Sequence, residues 1–348
     1  MKTFSRWTVI ISLYIVQLTF AQEYTKTLLG NGFSSPFSLY VDTSGTIYIP
    51  DYKNNQVKKM DANGENIQSL SFNFQRPTGI TMDADGRLLI SEISTNKIKR
   101  MGTDGSNNET IISTGINSPM GLVFDSQGNL LVADNGNHAV RKINLTTGVK
   151  TVVATGFFNV SSIAVDNAGN IYVADSTSKI TRIKPNGTKE SLGSGFVYAN
   201  AVTVDSAGNI YVADAQPNNA IKKMDNNGGN VQTIAETYSP NGIFVDNHGN
   251  VYVSGTYDTS PIIKLSPPAL GTSEFLSKKI IIYPNPAKNK ISFSENLRNI
   301  KIFDESGKSV LIKNNTETID ISYLSQGTYF INGVNTDGKT VREKFIKE

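Results

Sequence analysis

The decapeptide "DNAGNIYVAD" at residues 166–175 decides the fold, because it returns as "DSAGNIYVAD" at 205–214 and in looser form at 125–134 and 42–51. Six aspartates, 39 to 42 residues apart, mark the copies: Asp42, Asp83, Asp125, Asp166, Asp205 and Asp246. Each is followed three residues later by a glycine. A fixed period of this length indicates a repeat architecture with one structural unit per period.

Each unit contains four short apolar runs that predict β-strands. A run such as "GIFVD" ends at the aspartate, and a second such as "NVYV" follows the glycine. Asp-x-x-Gly predicts a tight hairpin turn, because the aspartate accepts nearby backbone hydrogen bonds and the glycine adopts the left-handed conformation. Two more runs follow, as in "AIKKM" and "NVQTI". Four-stranded units at this period are typical of propeller blades, so six of them predict a six-bladed β-propeller over residues 22–268.

The ring needs a closing strand. The sixth unit lacks its fourth strand because "PIIKLSPPAL" at 261–270 runs into prolines, whereas "EYTKTLL" at 23–29 precedes the first unit without a hairpin partner. We therefore predict that residues 23–29 pair with blade six. This pairing would close the ring and cover two sheet edges.

The blade pattern resembles the NHL-repeat family of propellers. Blade two has it in full, with "PTGITMD", "GRLLISE" and "NKIKR", whereas blades four and five lose the proline and glycine ("VSSIAVD", "ANAVTVD") and blade six has Ser254 at the last acidic position. The resemblance implies the fold and leaves the function open, because propellers of this kind serve as enzymes and as binders of sugars, proteins or RNA.

Residues 1–21 predict a signal peptide. Lys2 and Arg6 precede a mostly apolar stretch, and Thr19 and Ala21 occupy the small-residue positions of a cleavage site. A membrane anchor is the alternative, but the apolar stretch is shorter than the ~20 residues that span a bilayer. No later segment is as apolar over that length, so we expect an exported, soluble mature protein without a transmembrane segment.

After a predicted linker at 269–276, residues 277–348 resemble the C-terminal sorting domain of the type IX secretion system. The motifs are "YPNPAKNKISF" at 283–293, "IKIFDESGKSV" at 300–310, "IDISYLSQGTYFI" at 319–331 and "KFIKE" at 344–348. The resemblance implies a small immunoglobulin-like β-sandwich, the secretion machinery as a partner, and a secreted or outer-surface location in a Gram-negative-type bacterium. A sandwich that binds some other partner is the alternative.

Composition narrows the function classes. The chain has no cysteine, which excludes disulfides, thiolate metal sites and a cysteine nucleophile. Its basic character lies in the signal peptide and the tail, and 19 basic against 22 acidic residues remain for the propeller. Basic pairs recur on the third strands: Lys58-Lys59, Lys99-Arg100, Arg141-Lys142 and Lys222-Lys223. We interpret them as solvated blade edges rather than as a phosphate-binding belt. Nucleic acid is therefore not an expected partner.

Enzymatic function is the less favoured hypothesis. The only histidines, His138 and His248, fall in loop types that lie on opposite faces of a propeller, so they cannot share a metal. The alternative is a metal-assisted lactonase or lyase with calcium held by the acids that end the second strands: Asp51, Glu92, Asp134, Asp175 and Asp214. We favour a structural role in which each acid anchors its own turn, helped by Asn54, Asn96, Asn137 and Asn218, and we expect no cofactor.

Residues that differ between blades predict a binding face. Large side chains precede the first strands at Phe33, Phe74, Ile116, Phe157, Phe158, Phe196, Tyr198 and Tyr238. Together with Tyr52, Arg76, Asn135 and Tyr257, the aromatic ones would stack on sugar rings or peptide side chains; the alternative is a packing plug between blades. The sequence thus predicts an all-β protein, a six-bladed NHL-like propeller followed by an immunoglobulin-like sandwich. Its predicted function is non-catalytic binding of an extracellular glycan or protein ligand, with a purely structural surface role as a further alternative.

Overall fold

The computed structural model describes residues 24–256, 258–268, 282–305, 308–314, 316–334 and 340–348. The predicted signal peptide (1–21) and linker (269–276) lie outside these ranges. Contacts divide the chain into two compact units, Met1–Ala269 and Leu270–Glu348. In the described part, no helix is long and apolar enough to cross a membrane.

The first unit is a six-bladed β-propeller, as predicted. Before blade one comes β1 (Thr25–Ser34). Blade one contains β2 (Tyr40–Val41), β3 (Ile47–Asp51), β4 (Gln56–Met60) and β5 (Gln68–Ser71). Blade two contains β6 (Pro77–Met82), β7 (Leu88–Glu92), β8 (Lys97–Met101) and β9 (Glu109–Ile112). Blade three contains β10 (Pro119–Phe124), β11 (Leu130–Asp134), β12 (Ala139–Ile143) and β13 (Lys150–Thr155), with a short 3-10 helix at Asn135–Asn137.

The remaining blades repeat this arrangement. Blade four contains β14 (Ser162–Val165), β15 (Ile171–Ala174), β16 (Ile180–Ile183) and β17 (Lys189–Leu192). Blade five contains β18 (Ala199–Val204), β19 (Ile210–Asp214), β20 (Ala220–Met224) and β21 (Gln232–Glu236). Blade six contains β22 (Pro240–Val245), β23 (Val251–Gly255) and β24 (Asp258–Ser266). First strands of successive blades contact one another, which places them around the axis of the ring.

The closing strand lies where the sequence predicts. Strand β1 pairs antiparallel with β24, with Thr25 opposite Ser266 and Leu29 opposite Ile262, so the sixth sheet has the order β22-β23-β24-β1. The strand runs past the predicted end at residue 29, through irregular register, to Ser34. Leu29 packs in one cluster with Ile47 of blade one and Ile262 of blade six. This strand therefore joins the first blade to the last.

The Asp-x-x-Gly turns explain the repeated decapeptide. In blade four, Asp166 Oδ1 accepts hydrogen bonds from the backbone N–H of Ala168 (3.0 Å) and Asn170 (2.8 Å). Gly169 has φ +80°, a left-handed conformation that glycine adopts without steric cost. The Tyr172 hydroxyl donates to Asp166 Oδ2 at 2.9 Å, so the "YV" of the decapeptide also supports its turn. The repeated sequence is thus scaffold.

The second unit is a small, nearly closed β-sandwich, in agreement with the predicted class. Its strands are β25 (Ile282–Tyr283), β26 (Lys290–Phe303), β27 (Ser309–Lys313), β28 (Thr316–Asp320), β29 (Gly327–Val334) and β30 (Thr340–Lys347). The long strand β26 pairs with β25 and β28 near its start and with β27 and β29 near its end, so it contributes to both layers. Between the layers lies an apolar core that includes Ile291, Ile302, Ile331 and Phe345.

Candidate functional site at the mouth of the axial channel

The acids that end the second strands are buried and fully engaged. Asp214 accepts backbone hydrogen bonds from Val197 (3.0 Å) and Tyr198 (2.9 Å), and its Oδ2 accepts from Asn218 Nδ2 (2.7 Å) and Lys222 Nζ (2.8 Å). Burial alone would raise the pKa of Asp214, but these hydrogen bonds outweigh it and hold the pKa below its usual value. The carboxylate holds the incoming loop and its own turn in place.

Other blades use the same arrangement. Asp51 accepts from the backbone of Ser34, Glu92 from Gln75, Asp134 from Asn117 and Asp175 from Phe158. The predicted helpers Asn54 and Asn137 also donate to their acids, whereas Asn96 instead accepts from the Ser118 backbone and Thr95 replaces it on Glu92. Among the described residues, no group of three or more histidines and acids could hold a metal ion. Each of these acids therefore accepts hydrogen bonds from the loop that enters its own blade.

The first residue of each basic pair is a counter-ion, which corrects its interpretation as a solvated edge. Lys58 Nζ lies 2.7 Å from Asp51, Lys99 Nζ lies 3.0 Å from Glu92, and Arg141 pairs with Asp134. A buried carboxylate requires such a partner, because removing its charge from water is costly. Lys58 also covers the Phe33 ring, 5.5 Å from its centroid. The corresponding contacts in other blades are Lys99 with Phe74 (5.0 Å) and Lys222 with Phe196 (5.4 Å).

Burial removes four of the predicted aromatic residues from the binding face. Phe33, Phe74, Phe157 and Phe196 are buried, as is Ile116. A ring without accessible surface cannot stack on a ligand, so these residues correct the sequence-based assignment and belong to the packing between blades. Adjacent residues can differ strongly in exposure. Phe157 is 6% exposed, whereas the following Phe158 is 66% exposed.

The other predicted residues remain accessible. Phe158 and Tyr198 are exposed on the loops before the first strands of blades four and five. Tyr238 is 79% exposed and lies in a separate open groove beside blade six, with Leu28, Pro261 and Ile263. Tyr257 lies outside the described residues. The groove volume is about 880 Å³.

Arg76, Tyr52 and Phe37 form a contact group on blades one and two, in which the two rings are tilted by 50° to each other. The Arg76 guanidinium lies 5.7 Å from the Tyr52 ring centroid, and the Tyr52 ring lies 4.6 Å from the ring of Phe37. Arg76 is exposed and has φ +54°, so its loop projects the side chain from a left-handed turn. Both rings are partly exposed, and Phe37 also lines the axial cavity described next.

The axis itself holds a small cavity that the sequence did not predict. Its volume is about 30 Å³, and residues of all six blades line it, among them Phe37, Thr78, Met120, Ser161, Ala201 and Asn241. Most of these occupy the second position of the Pro-x-Gly motif or its equivalent. That position varies between blades, with asparagine only in blades five and six, while the proline and glycine beside it recur in blades two, three and six.

The motif glycines let the first strands approach one another closely. A Cβ on Gly79 would lie 2.0 Å from the Met120 carbonyl oxygen, and one on Gly242 would lie 2.7 Å from that of Phe37. Real Cβ atoms do not approach so closely, so only glycine fits these positions. The close approach explains why the axial cavity is narrow.

A chain of hydrogen-bonded asparagines and one serine leads to Asn241 at the cavity and is here called the amide arc: Asn135, Asn159, Ser176, Asn200 and Asn241. Asn135 Nδ2 donates to Asn159, Asn159 Nδ2 donates to Ser176 Oγ (2.9 Å), and Ser176 Oγ donates to Asn200 Oδ1 (3.4 Å). Asn200 Nδ2 then donates to Asn241 Oδ1 at 2.7 Å. The arc crosses four blades and links them.

The arc ends on an unsatisfied donor. Asn241 is only 5% exposed and lines the axial cavity, and its Nδ2 has no hydrogen-bond partner in the structure. Asn200 Nδ2 donates to Asn241 Oδ1, so Nδ2 is the polar atom of Asn241 that remains without a partner. An unpaired buried donor disfavours the folded state by about 1–3 kcal/mol, so an acceptor that enters the axial cavity, from water or from a ligand, would be stabilising.

Blades one to three contribute the apolar side chains of Phe37 and Met120 to the cavity, beside Ser38 and Thr78. Phe37 of blade one and Ile93 of blade two pack against the cluster that contains Met120 and Val160. We call Phe37, Tyr52, Ile93 and Met120 the apolar arc, and the two arcs together the axial mouth. Both arcs belong to the face formed by the loops before the first strands and after the second strands.

Neither histidine contributes to the axial mouth. His138 is exposed, and its Nδ1 lies 2.9 Å from the Phe158 carbonyl oxygen. His248 is exposed in the turn between β22 and β23. Because that turn joins antiparallel strands at the end opposite to the β11–β12 loop of His138, the two lie on opposite faces as predicted.

Fold, mouth and tail define the protein as an exported propeller with a polar and an apolar side to its axial channel. The virginiamycin B lyase family model matches residues 7–264, and the secretion system C-terminal sorting domain matches residues 281–348. The chain belongs to the virginiamycin B lyase family and carries the predicted sorting domain. Its location is therefore secreted or at the cell surface in Bacteroidetes-type bacteria.

Similar solved structures include both enzymes and a protein complex. A gluconolactonase from Xanthomonas campestris has a TM-score of 0.63 at 15% identity, covering 70% of this chain and 90% of its own. A catalytically inactive histidine-to-alanine variant of Staphylococcus aureus virginiamycin B lyase, with quinupristin, has a TM-score of 0.55 at 17% identity, covering 70% and 99%. A chain of the nidogen/laminin complex has a TM-score of 0.55 at 18% identity, covering 60% and 84%. No curated protein matches the chain significantly.

Proposed function

We propose that the exported propeller binds an extracellular ligand, a glycan or a peptide, at the axial mouth and does not chemically transform it. The observation that carries the proposal is the chemistry of the mouth. The described residues that line the axial cavity carry amide, hydroxyl and apolar side chains, and none of them is a histidine, aspartate, glutamate, lysine or cysteine. General acid–base and nucleophilic catalysis both depend on such groups.

The relatives do not transfer their activity to this site. The Staphylococcus aureus lyase is catalytically inactive when one histidine is replaced by alanine. Here His138 and His248 are exposed, on opposite faces of the ring, and neither lines the axial cavity. The acids that would hold a metal are occupied by their own turns and counter-ions. These features support binding over the lactonase or lyase alternative.

The test uses the full mature chain, residues 22–348. Immobilised glycans and peptides are probed, and the variants Tyr52→Ala and Tyr238→Ala are compared. Tyr52 lies in the apolar arc and Tyr238 in the separate groove, so we expect Tyr52→Ala alone to weaken binding. The aromatic contribution of about 0.5–1.5 kcal/mol corresponds to a loss of several-fold in affinity.

Two further measurements check the absence of turnover. We expect no ring opening of quinupristin or of gluconolactone and no stoichiometric divalent metal in the purified chain. Metal-dependent turnover of either compound would overturn the proposal in favour of the enzyme. Retained binding in Tyr52→Ala with loss in Tyr238→Ala would also overturn it, because the site would then be the groove.

A further inference from the structure

We infer that the axial mouth selects a neutral glycan, with one sugar face on Tyr52 and hydroxyl groups directed toward the amide arc. The inference rests on the proposed function and adds the ligand class. Three features of the mouth carry it: the donor and acceptor pattern of the arc, the size of the cavity, and the lack of fixed charge.

The amide arc matches hydroxyl groups. Each asparagine side chain offers two donors and one accepting oxygen, and a sugar hydroxyl is both a donor and an acceptor. Asn241 Nδ2 is the unsatisfied donor at the inner end of the arc. A sugar hydroxyl or ring oxygen that reaches the axial cavity supplies the acceptor it needs, while the other arc members keep their mutual hydrogen bonds.

The cavity size argues against a peptide. Peptide recognition gains specificity from pockets that hold side chains. The axial cavity has a volume of about 30 Å³, which corresponds to roughly one water molecule, so it admits a hydroxyl group but no ordinary side chain. The aromatic surface of Tyr52 and Phe37 beside it suits the apolar C–H face of a sugar ring.

The charge pattern argues for a neutral ligand. None of the described residues that line the axial cavity is charged, and the Arg76 guanidinium lies 5.7 Å from the Tyr52 ring centroid. The nearest blade acids are buried against their own lysines and turns, as for Asp51 with Lys58. A charged ligand group would therefore find no counter-ion among the side chains that line the cavity. Binding should therefore depend little on salt.

The experiment uses the mature full chain and three sets of probes: neutral polysaccharides (glucans, mannan, xylan), acidic polysaccharides (alginate, polygalacturonate) and a peptide library. We expect a neutral polysaccharide to bind, with a Kd that changes less than about twofold between roughly 0.05 and 0.5 M salt. The variant Asn241→Asp keeps the shape but replaces the donor by a carboxylate, and should lose at least about tenfold in affinity.

Matched variants separate the site from the fold. Asn167→Asp adds the same charge at an exposed turn on the opposite face and should leave binding unchanged. If Asn241→Asp does not fold, as judged by its melting transition, Asn135→Ala at the half-buried outer end of the arc takes its place and should also weaken binding. Unchanged binding in the folded arc variants would overturn the inference.

The outcomes also separate this inference from the proposed function. Binding of acidic polysaccharides alone, or of peptides alone with loss in Tyr52→Ala, would overturn the neutral-glycan inference and leave the proposed binding function standing. Binding of none of the three probe sets would overturn both.

Discussion

Two neighbouring leucines on the closing strand give the sharpest test of the ring. Leu28 is 61% exposed, whereas Leu29 is 3% exposed and packs between blade one and blade six. Truncation of a buried leucine to alanine costs about 2–5 kcal/mol, because apolar contact is lost and a cavity remains. An exposed position costs about 0.5 kcal/mol or less. The same substitution should therefore differ strongly between adjacent residues.

The difference is measured by calorimetry on the mature chain. A change of about 1 kcal/mol shifts Tm by roughly 2–4 °C in a domain of this size, so Leu29→Ala should lower the propeller transition by about 5–20 °C and Leu28→Ala by about 2 °C or less. The only tryptophan, Trp7, belongs to the predicted signal peptide, so the mature chain gives no tryptophan fluorescence signal. Circular dichroism therefore serves as the second probe of the same transition. Equal shifts for the two variants would refute the packing of β1 as the closing strand.

Three further predictions concern the ion pairs, acid and export. Lys222→Met leaves the buried Asp214 without its counter-ion and should destabilise the propeller by about 3 kcal/mol in urea unfolding, against about 1 kcal/mol or less for Lys223→Met; equal effects would contradict the counter-ion role. Several aspartates have pKa values held below the usual range because hydrogen bonds outweigh burial, so their stabilisation is complete above about pH 4 and is lost as pH falls through the folded values. The aspartates with lowered pKa values are Asp42, Asp125, Asp166 and Asp214. Tm should thus stay level from neutral pH to about pH 5 and drop below pH 4, and a drop already above pH 5 would contradict these lowered pKa values. A chain that lacks residues 277–348 should accumulate in the periplasm while the full chain reaches the surface or medium, as followed by fractionation, and equal export of both would contradict a sorting role.

Regular repetition made the fold predictable from sequence. The Asp-x-x-Gly turns and the apolar runs between them are local features, and they recur in each of the six repeats. The closing strand was also predictable by counting strands, because the sixth repeat lacks its fourth strand and residues 23–29 form a strand outside any repeat. A prediction of this kind needs no side-chain geometry, only the requirement that sheet edges be covered.

The site was less predictable because it depends on where side chains point in irregular segments. Phe157 and Phe158 are adjacent and aromatic, yet one is buried and the other exposed. Outside strands no fixed period decides the face, so the sequence could not separate packing from binding there. The amide arc joins residues from four successive blades, and only the packing of blade against blade brings Asn135 and Asn241 into one network.

The closing strand also fixes an order of events. Thr25 pairs with Ser266, so the first strand of the propeller waits for the last one before the ring can form. Contacts between residues so distant in sequence form slowly, because a long loop must close first. A chain that enters the export pathway from its N-terminus would therefore remain an open, linear array of blades until blade six has arrived. The axial mouth, which needs every blade in place, would come into existence only after that final step.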